Sequence, residues 1–219
     1  MIVTIDGPAG AGKSSIARRV ADAIGFEFLD TGALYRALTL AAIRRGVDFD
    51  DRPALVAVAV QASLTPAGSQ IFLDDEDVSE LIRSPTVTAS IVHVADVAEI
   101  RTHLNRVQRS FAAGRDIVTE GRDQGSEVFP DAECKIFLTA SPAERAKRRW
   151  QQLMHDGKPL DLEAIRAAQD KRDAEDARRP MGALRPADDA KILESDGMTP
   201  DEVLAETLKI VRQCRERVT

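Results

Sequence analysis

The chain has 219 residues, 43% of them hydrophobic and 30% charged, which suits one globular domain with a real core and excludes a disordered or collagen-like chain. A net charge of −6 and an aromatic content of 4% exclude a strongly basic nucleic-acid footprint and a base-stacking platform. The longest apolar run, Ala54 to Val60, falls far short of the roughly 18 residues that cross a bilayer, and the distant Cys134 and Cys214 supply neither a disulfide framework nor a zinc site.

Taken from the start, Met1-Ile2-Val3-Thr4-Ile5-Asp6 has no basic n-region and no cleavage site, so no secretory signal is expected and the cysteines point to a reducing cytoplasm. Ile2 to Ile5 reads as a short buried strand, and Lys13 to Ile24 as a helix with Ile16, Val20 and Ile24 at four-residue steps. Phe26 to Leu29 is a second strand and Ala33 to Arg45 a second helix. From about Asp51 to Ser90 the alternation breaks: Leu64 to Pro66 and Gln70 to Leu73 flank Ala67-Gly68-Ser69 as a hairpin, followed by the acidic run 74–77. A helix is expected from about Val97 to Phe111, then strands at Ile117 to Thr119, Lys135 to Thr139 and Ala190 to Leu193. Ser141-Pro142-Ala143-Glu144 and Thr199-Pro200-Asp201-Glu202 each read as a capping box that opens a helix. Five strands separated by helices predict an α/β fold with a parallel sheet covered on both faces, carrying an inserted small antiparallel sheet.

Gly7-Pro8-Ala9-Gly10-Ala11-Gly12-Lys13-Ser14, followed by Ser15, fits G-x-x-x-x-G-K-[ST] between a strand and a helix. Small residues let backbone amides close around a phosphate, and the helix N-terminus adds partial positive charge. Lys13 reaches the terminal phosphates, and the Ser14 hydroxyl can complete magnesium coordination. The loop predicts a bound nucleoside triphosphate without saying what is done with it.

A second anion site is expected on the same sheet edge. Thr31 opens the second helix, Arg36 lies further along it, and Arg122 and Asp123 follow the strand that ends at Thr119. Arg101 sits on the helix from about Val97. Residues 142–179 hold ten Lys or Arg against eight Asp or Glu, a local excess of +2 that leaves −8 elsewhere. Within that stretch Arg145, Arg148 and Arg149 share one helix face at i, i+3, i+4. Arg172, Asp176 and Arg179 share another at i, i+4, i+7.

GPAGAGKSS, LDTGALYR, EGRDQGSEVFPDA with KIFLTAS behind it, and RDAEDARR, in that order and spacing, make the chain resemble the bacterial cytidylate kinases over nearly its whole length. The resemblance implies a P-loop three-layer fold with core segments at about 1–50, 91–141 and 180–219, a monophosphate-binding insertion at about 51–90 and a lid at about 142–179. It implies transfer of a phosphoryl group from ATP to CMP or dCMP with Mg2+, in a monomer that engages neither nucleic acid polymers nor membranes. Lys13 and the loop from Gly7 to Ser15 would hold ATP, with the lid arginines Arg145, Arg148 and Arg149 closing over it and Ser14 on the metal. Thr31, Arg36, Arg101, Arg122, Asp123, Arg172, Asp176 and Arg179 would hold CMP, with Lys13, Arg122, Arg172 and Arg179 in the catalytic set. The chain departs from the family pattern at Val92, where a serine is usual and Ser90 stands nearby, at Gln124, at Ser126-Glu127, and at Pro180-Met181-Gly182. The alternatives are another small-molecule P-loop kinase, for example one acting on UMP, and an NTP-dependent switch or binding module.

Overall fold

The computed structural model describes residues 1–68, 70–155, 157 and 160–218. The chain forms two compact units, Met1–Phe26 with Val118–Thr219, and Glu27–Ile117. The expected insertion at 51–90 lies inside the second unit and the expected lid inside the first. Ser69, part of the expected hairpin turn, and residues 156, 158 and 159 of the lid lie outside the described residues.

The first unit is built around β1 (Ile2–Asp6), β6 (Ile117–Gly121), β7 (Cys134–Thr139) and β8 (Lys191–Glu194). With β2 (Glu27–Asp30) they make a five-stranded sheet of order β2-β6-β1-β7-β8. β1 pairs with β7 and β7 with β8 in parallel, Ile5 standing beside Ile136 and Leu138 beside Leu193. Val3, Ile5, Val118, Ile136 and Leu138 are fully buried, as expected of parallel strands covered on both faces. Helix α1 (Lys13–Ile24) buries Ile16, Ala17, Val20 and Ala21, and Gly25 ends it in a left-handed turn at φ 73. It packs on α8 (Pro200–Val218), whose Thr199 and Glu202 form a complete capping box. The box expected at Ser141 is half made: Ser141 Oγ accepts from the Glu144 amide, but its own N–H goes to Asp196 while Glu144 turns to Arg148. The helix it opens, α6 (Pro142–His155), pairs with α7 (Leu162–Arg178) around Ala146, Leu153 and Ile165. α7 stops one residue before Arg179, which adopts the extended backbone favoured before a proline, so Arg179 stands at the cap rather than on the predicted helix face.

In the second unit, α2 (Thr31–Arg44) starts on Asp30, whose carboxylate accepts from the Ala33 amide at 2.9 Å. Strands β3 (Leu64–Ala67), β4 (Gln70–Leu73) and β5 (Glu76–Asp77) form the expected antiparallel sheet. Its third strand is reached through Asp74 and Asp75, both at positive φ (50° and 66°), a two-residue hairpin that aspartate tolerates. Arg44 clamps Glu76 with two hydrogen bonds of 2.6 and 2.9 Å and fastens this hairpin to α2. Helices α3 (Arg52–Gln61), α4 (Pro85–Ala95) and α5 (Ala98–Ala112) also belong to the unit; the periodicity predicts only the last of them.

Candidate active site

The loop between β1 and α1 depends on backbone that only glycine provides. Gly7 stands at φ 150, and a Cβ there would lie 2.0 Å from the Leu138 carbonyl oxygen. Gly10 stands at φ 78, and a Cβ there would lie 2.4 Å from the Gln169 amide nitrogen. Gly12 caps α1 in the left-handed region with no side-chain cap, which leaves the first-turn amides to an anion.

Lys13 is buried, and its ammonium donates to the Pro8 carbonyl at 2.8 Å. Burial, with Arg122 and Arg172 nearby, lowers its pKa to about 7 against the pull of Glu120 and Asp6. Ser14 donates to the Glu120 carboxylate at 2.8 Å. That hydroxyl and carboxylate, hard oxygens at the loop's mouth, fit a magnesium ion. Among the described residues no group of three or more His, Cys, Asp or Glu has a metal-binding arrangement, so further ligands for such an ion would come from the phosphates and water.

Asp6 closes β1 and accepts from the amides of Gln124 and Gly125 at 2.8 and 2.7 Å. Burial raises its pKa to about 7, these two amides opposing the rise and Asp123 adding to it. The amides open a π-helical turn, Gln124–Val128, a local irregularity common at functional sites. Gln124 turns its side chain to Thr119, and Glu127 accepts from the Gly182 amide at 2.8 Å. Two of the departures from the family pattern therefore meet each other.

Asp176, 2% exposed, joins two arginines: Arg122 Nε donates to it at 2.8 Å and Arg179 pairs with it at 2.7 Å. Lys13, Arg122 and Arg172 form one electrostatic cluster. Arg145, Arg148 and Arg149 do not act alike. Arg145 is buried against the phosphate loop, donating to the Ala9 carbonyl at 2.8 Å and to Asp173 at 2.5 Å. Arg148 holds Ser195, after β8, and Arg149 reaches the neighbouring Gln152 at the surface.

The second unit carries its own polar group. Thr31 is buried at the start of α2, and Arg36 donates to the Ile82 carbonyl and to Thr88 at 2.8 Å. Arg101 is 4% exposed, donates to the Ala95 carbonyl, and stands 5.4 Å over the Tyr35 ring. Val92 lines a cavity of about 290 Å³ with Phe49, Asp50, Arg52, His93, Asp96 and Val97.

Sequence reasoning passed over Asp6, Glu120 and Asp173. For Glu120 a signal existed, a carboxylate at the end of a buried strand. For Asp173 none did.

The family model for cytidylate kinase matches residues 3–213. A cytidylate kinase of Rhodopirellula baltica is 58% identical over 98% of this chain and 93% of its own length. One of Pelotomaculum thermopropionicum is 45% identical over 92% of each. Among solved structures, TT1252 from Thermus thermophilus superimposes with a TM-score of 0.51 at 18% identity, covering 97% of this chain and 96% of that one, a likeness of fold.

Proposed function

The chain belongs to the cytidylate kinase family, and from that premise we propose how its residues move the γ-phosphoryl group of ATP to CMP or dCMP, giving ADP and CDP or dCDP. The acceptor is an already ionised phosphate, so the reaction needs no strong general base. What it needs is alignment of two anions and neutralisation of their charge.

The phosphate loop from Gly7 to Ser15 and Lys13 take the ATP phosphates, and Arg148 and Arg149 are proposed to join them on the donor side. Ser14, with Glu120 beside it, would hold magnesium, which would supply positive charge against the triphosphate. Arg122, Arg172 and Arg179 meet the transferred group and the acceptor phosphate. Asp176 keeps Arg122 and Arg179 together, and Asp123 completes the acceptor residues of the first unit. Thr31, Arg36 and Arg101 of the second unit are assigned to CMP as well. Residues 142–179 act as a lid that excludes water, and 51–90 as the monophosphate-binding insertion.

The observation that carries this reading is the buried Lys13, seated on the Pro8 carbonyl with the Arg122 and Arg172 charges near it, an excess of positive charge that leaves a place for an anion. Lys13→Ala is expected to lose most turnover while far-UV dichroism stays native; turnover like wild type would refute the assignment. A coupled assay across CMP, dCMP, UMP and AMP should give the highest kcat/KM with CMP or dCMP, and preference for UMP would overturn the acceptor. Buried free thiols at Cys134 and Cys214, and the lack of any described helix long and apolar enough to cross a membrane, fit a cytoplasmic enzyme. We take it to be a monomer, which light scattering checks.

A further inference from the structure

One residue of the phosphate loop is gripped from both sides by the helices that follow β7. The Ala9 amide donates to Asp173 Oδ1 at 3.0 Å, and the Ala9 carbonyl accepts from Arg145 at 2.8 Å. Arg145 and Asp173 close the ring with their own contact of 2.5 Å. Arg145 is 5% exposed and is fixed further by the Ala140 carbonyl, so the ring is anchored from beneath. One turn before Asp173 on α7, Gln169 rests against Gly10 at the point where a side chain would stand. α7 therefore meets the loop at two successive residues, through a side chain of each turn.

The same helix carries Arg172, an electrostatic neighbour of Lys13, and Asp176, which holds Arg122 and Arg179. A helix of 17 residues moves as one body over such short spacings. A displacement that brings Arg172 and Asp176 onto an acceptor must also move Asp173 against Ala9. A carboxylate accepts from the Ala9 amide, so Asp173 pins the loop at that residue.

We propose that Asp173, acting with Arg145 through the Ala9 peptide, is a positioning residue that couples acceptor binding to the donor grip of the phosphate loop. The inference rests on the reading of this loop as the ATP site and of the Arg172 to Arg179 segment as an acceptor site. It predicts that CMP tightens binding of a non-hydrolysable ATP analogue, and that this coupling runs through Asp173.

The test is calorimetric and kinetic. In the wild-type protein, saturating CMP should strengthen binding of the analogue at least fivefold, and in Asp173→Ala the ratio should fall to within twofold of one. CMP binding alone should stay within twofold of wild type, while KM for ATP rises about tenfold. Asp173→Asn has the same shape but a single acceptor oxygen, so it can serve only one of its two partners and should show an intermediate coupling; it also covers the case in which the alanine variant does not fold. A side chain that merely supports the fold would lower Tm and leave the coupling ratio unchanged. That result, or a wild-type ratio of one in an enzyme that turns over ATP and CMP, overturns the inference. Absence of turnover in the wild type would instead refute the functional reading on which it stands.

Discussion

Replacing Asp176 by asparagine removes one charge and leaves the shape. The carboxylate is almost fully buried and accepts from Arg122 at 2.8 Å and from Arg179 at 2.7 Å. Asparagine offers one oxygen and one NH2 group, so one guanidinium loses its acceptor and faces a donor. Breaking a buried pair from one side costs about 3–5 kcal/mol. The Arg122 and Arg179 side chains stay 18% and 12% exposed and keep some water, which places the expected loss near the lower limit, about 3 kcal/mol. For a chain of this size each kcal/mol shifts Tm by about 2–4 °C, so the variant should melt roughly 6–12 °C below wild type in a buffer free of phosphate. On the proposed assignment, bound CMP brings a phosphate that takes over as counter-ion for the two arginines. At saturating CMP the gap in Tm should therefore shrink to less than half. Differential scanning calorimetry with and without CMP measures both numbers. A Tm within 2 °C of wild type, or a gap that CMP leaves unchanged, would refute the account of Asp176 as the counter-charge of an anion site.

Two further outcomes follow from the loop and its lysine. Gly7→Ala places a methyl carbon 2.0 Å from the Leu138 carbonyl at a φ that side chains avoid, so the strand end must shift, lowering Tm by more than about 5 °C and weakening ATP binding; a variant with native Tm and affinity contradicts the close approach. Lys13 titrates near pH 7 in the protein, so above that pH the empty site holds a neutral amine, and an ATP phosphate beside it restores the proton. ATP binding at pH 8 should accordingly take up close to one proton, seen as opposite calorimetric offsets in buffers of different ionisation enthalpy. Zero uptake would refute the depressed pKa. The same shift makes stability of the empty protein rise with pH between about 7 and 10, because there the unfolded chain binds the proton and the native one does not.

The phosphate loop and its flanking strand and helix were legible because their chemistry is local: small residues, one lysine and an apolar strand suffice to define them. α1 begins and ends where the four-residue apolar step and Gly25 put its limits. α3 escaped because Ala54 to Val60 mixes alanine with β-branched valine and has no amphipathic period; its start signal was Asp51, whose carboxylate accepts from the Ala54 amide, with Pro53 just inside. α4 carried the same kind of signal, Ser84 before Pro85. The arginines of α6 show where spacing stops informing. Arg145, Arg148 and Arg149 share a face by count, yet burial against the loop, a tie to Ser195 and plain solvent divide them. Which surface stands opposite a helix face is a tertiary fact. Glu120 and Asp173 act through partners 106 and 164 residues away, a separation at which no local pattern speaks.

The contact between Glu127 and Gly182 bears on how sequence can be exchanged among these proteins. Gly182 stands at φ 75, a geometry open to glycine, and its amide is held by the Glu127 carboxylate. The two positions are therefore a matched set. Grafting only the segment after α7 of a relative onto this scaffold would take the Gly182 donor from Glu127, and grafting only the turn after β6 would take this acceptor from the Gly182 amide. A functional chimera must carry both segments together.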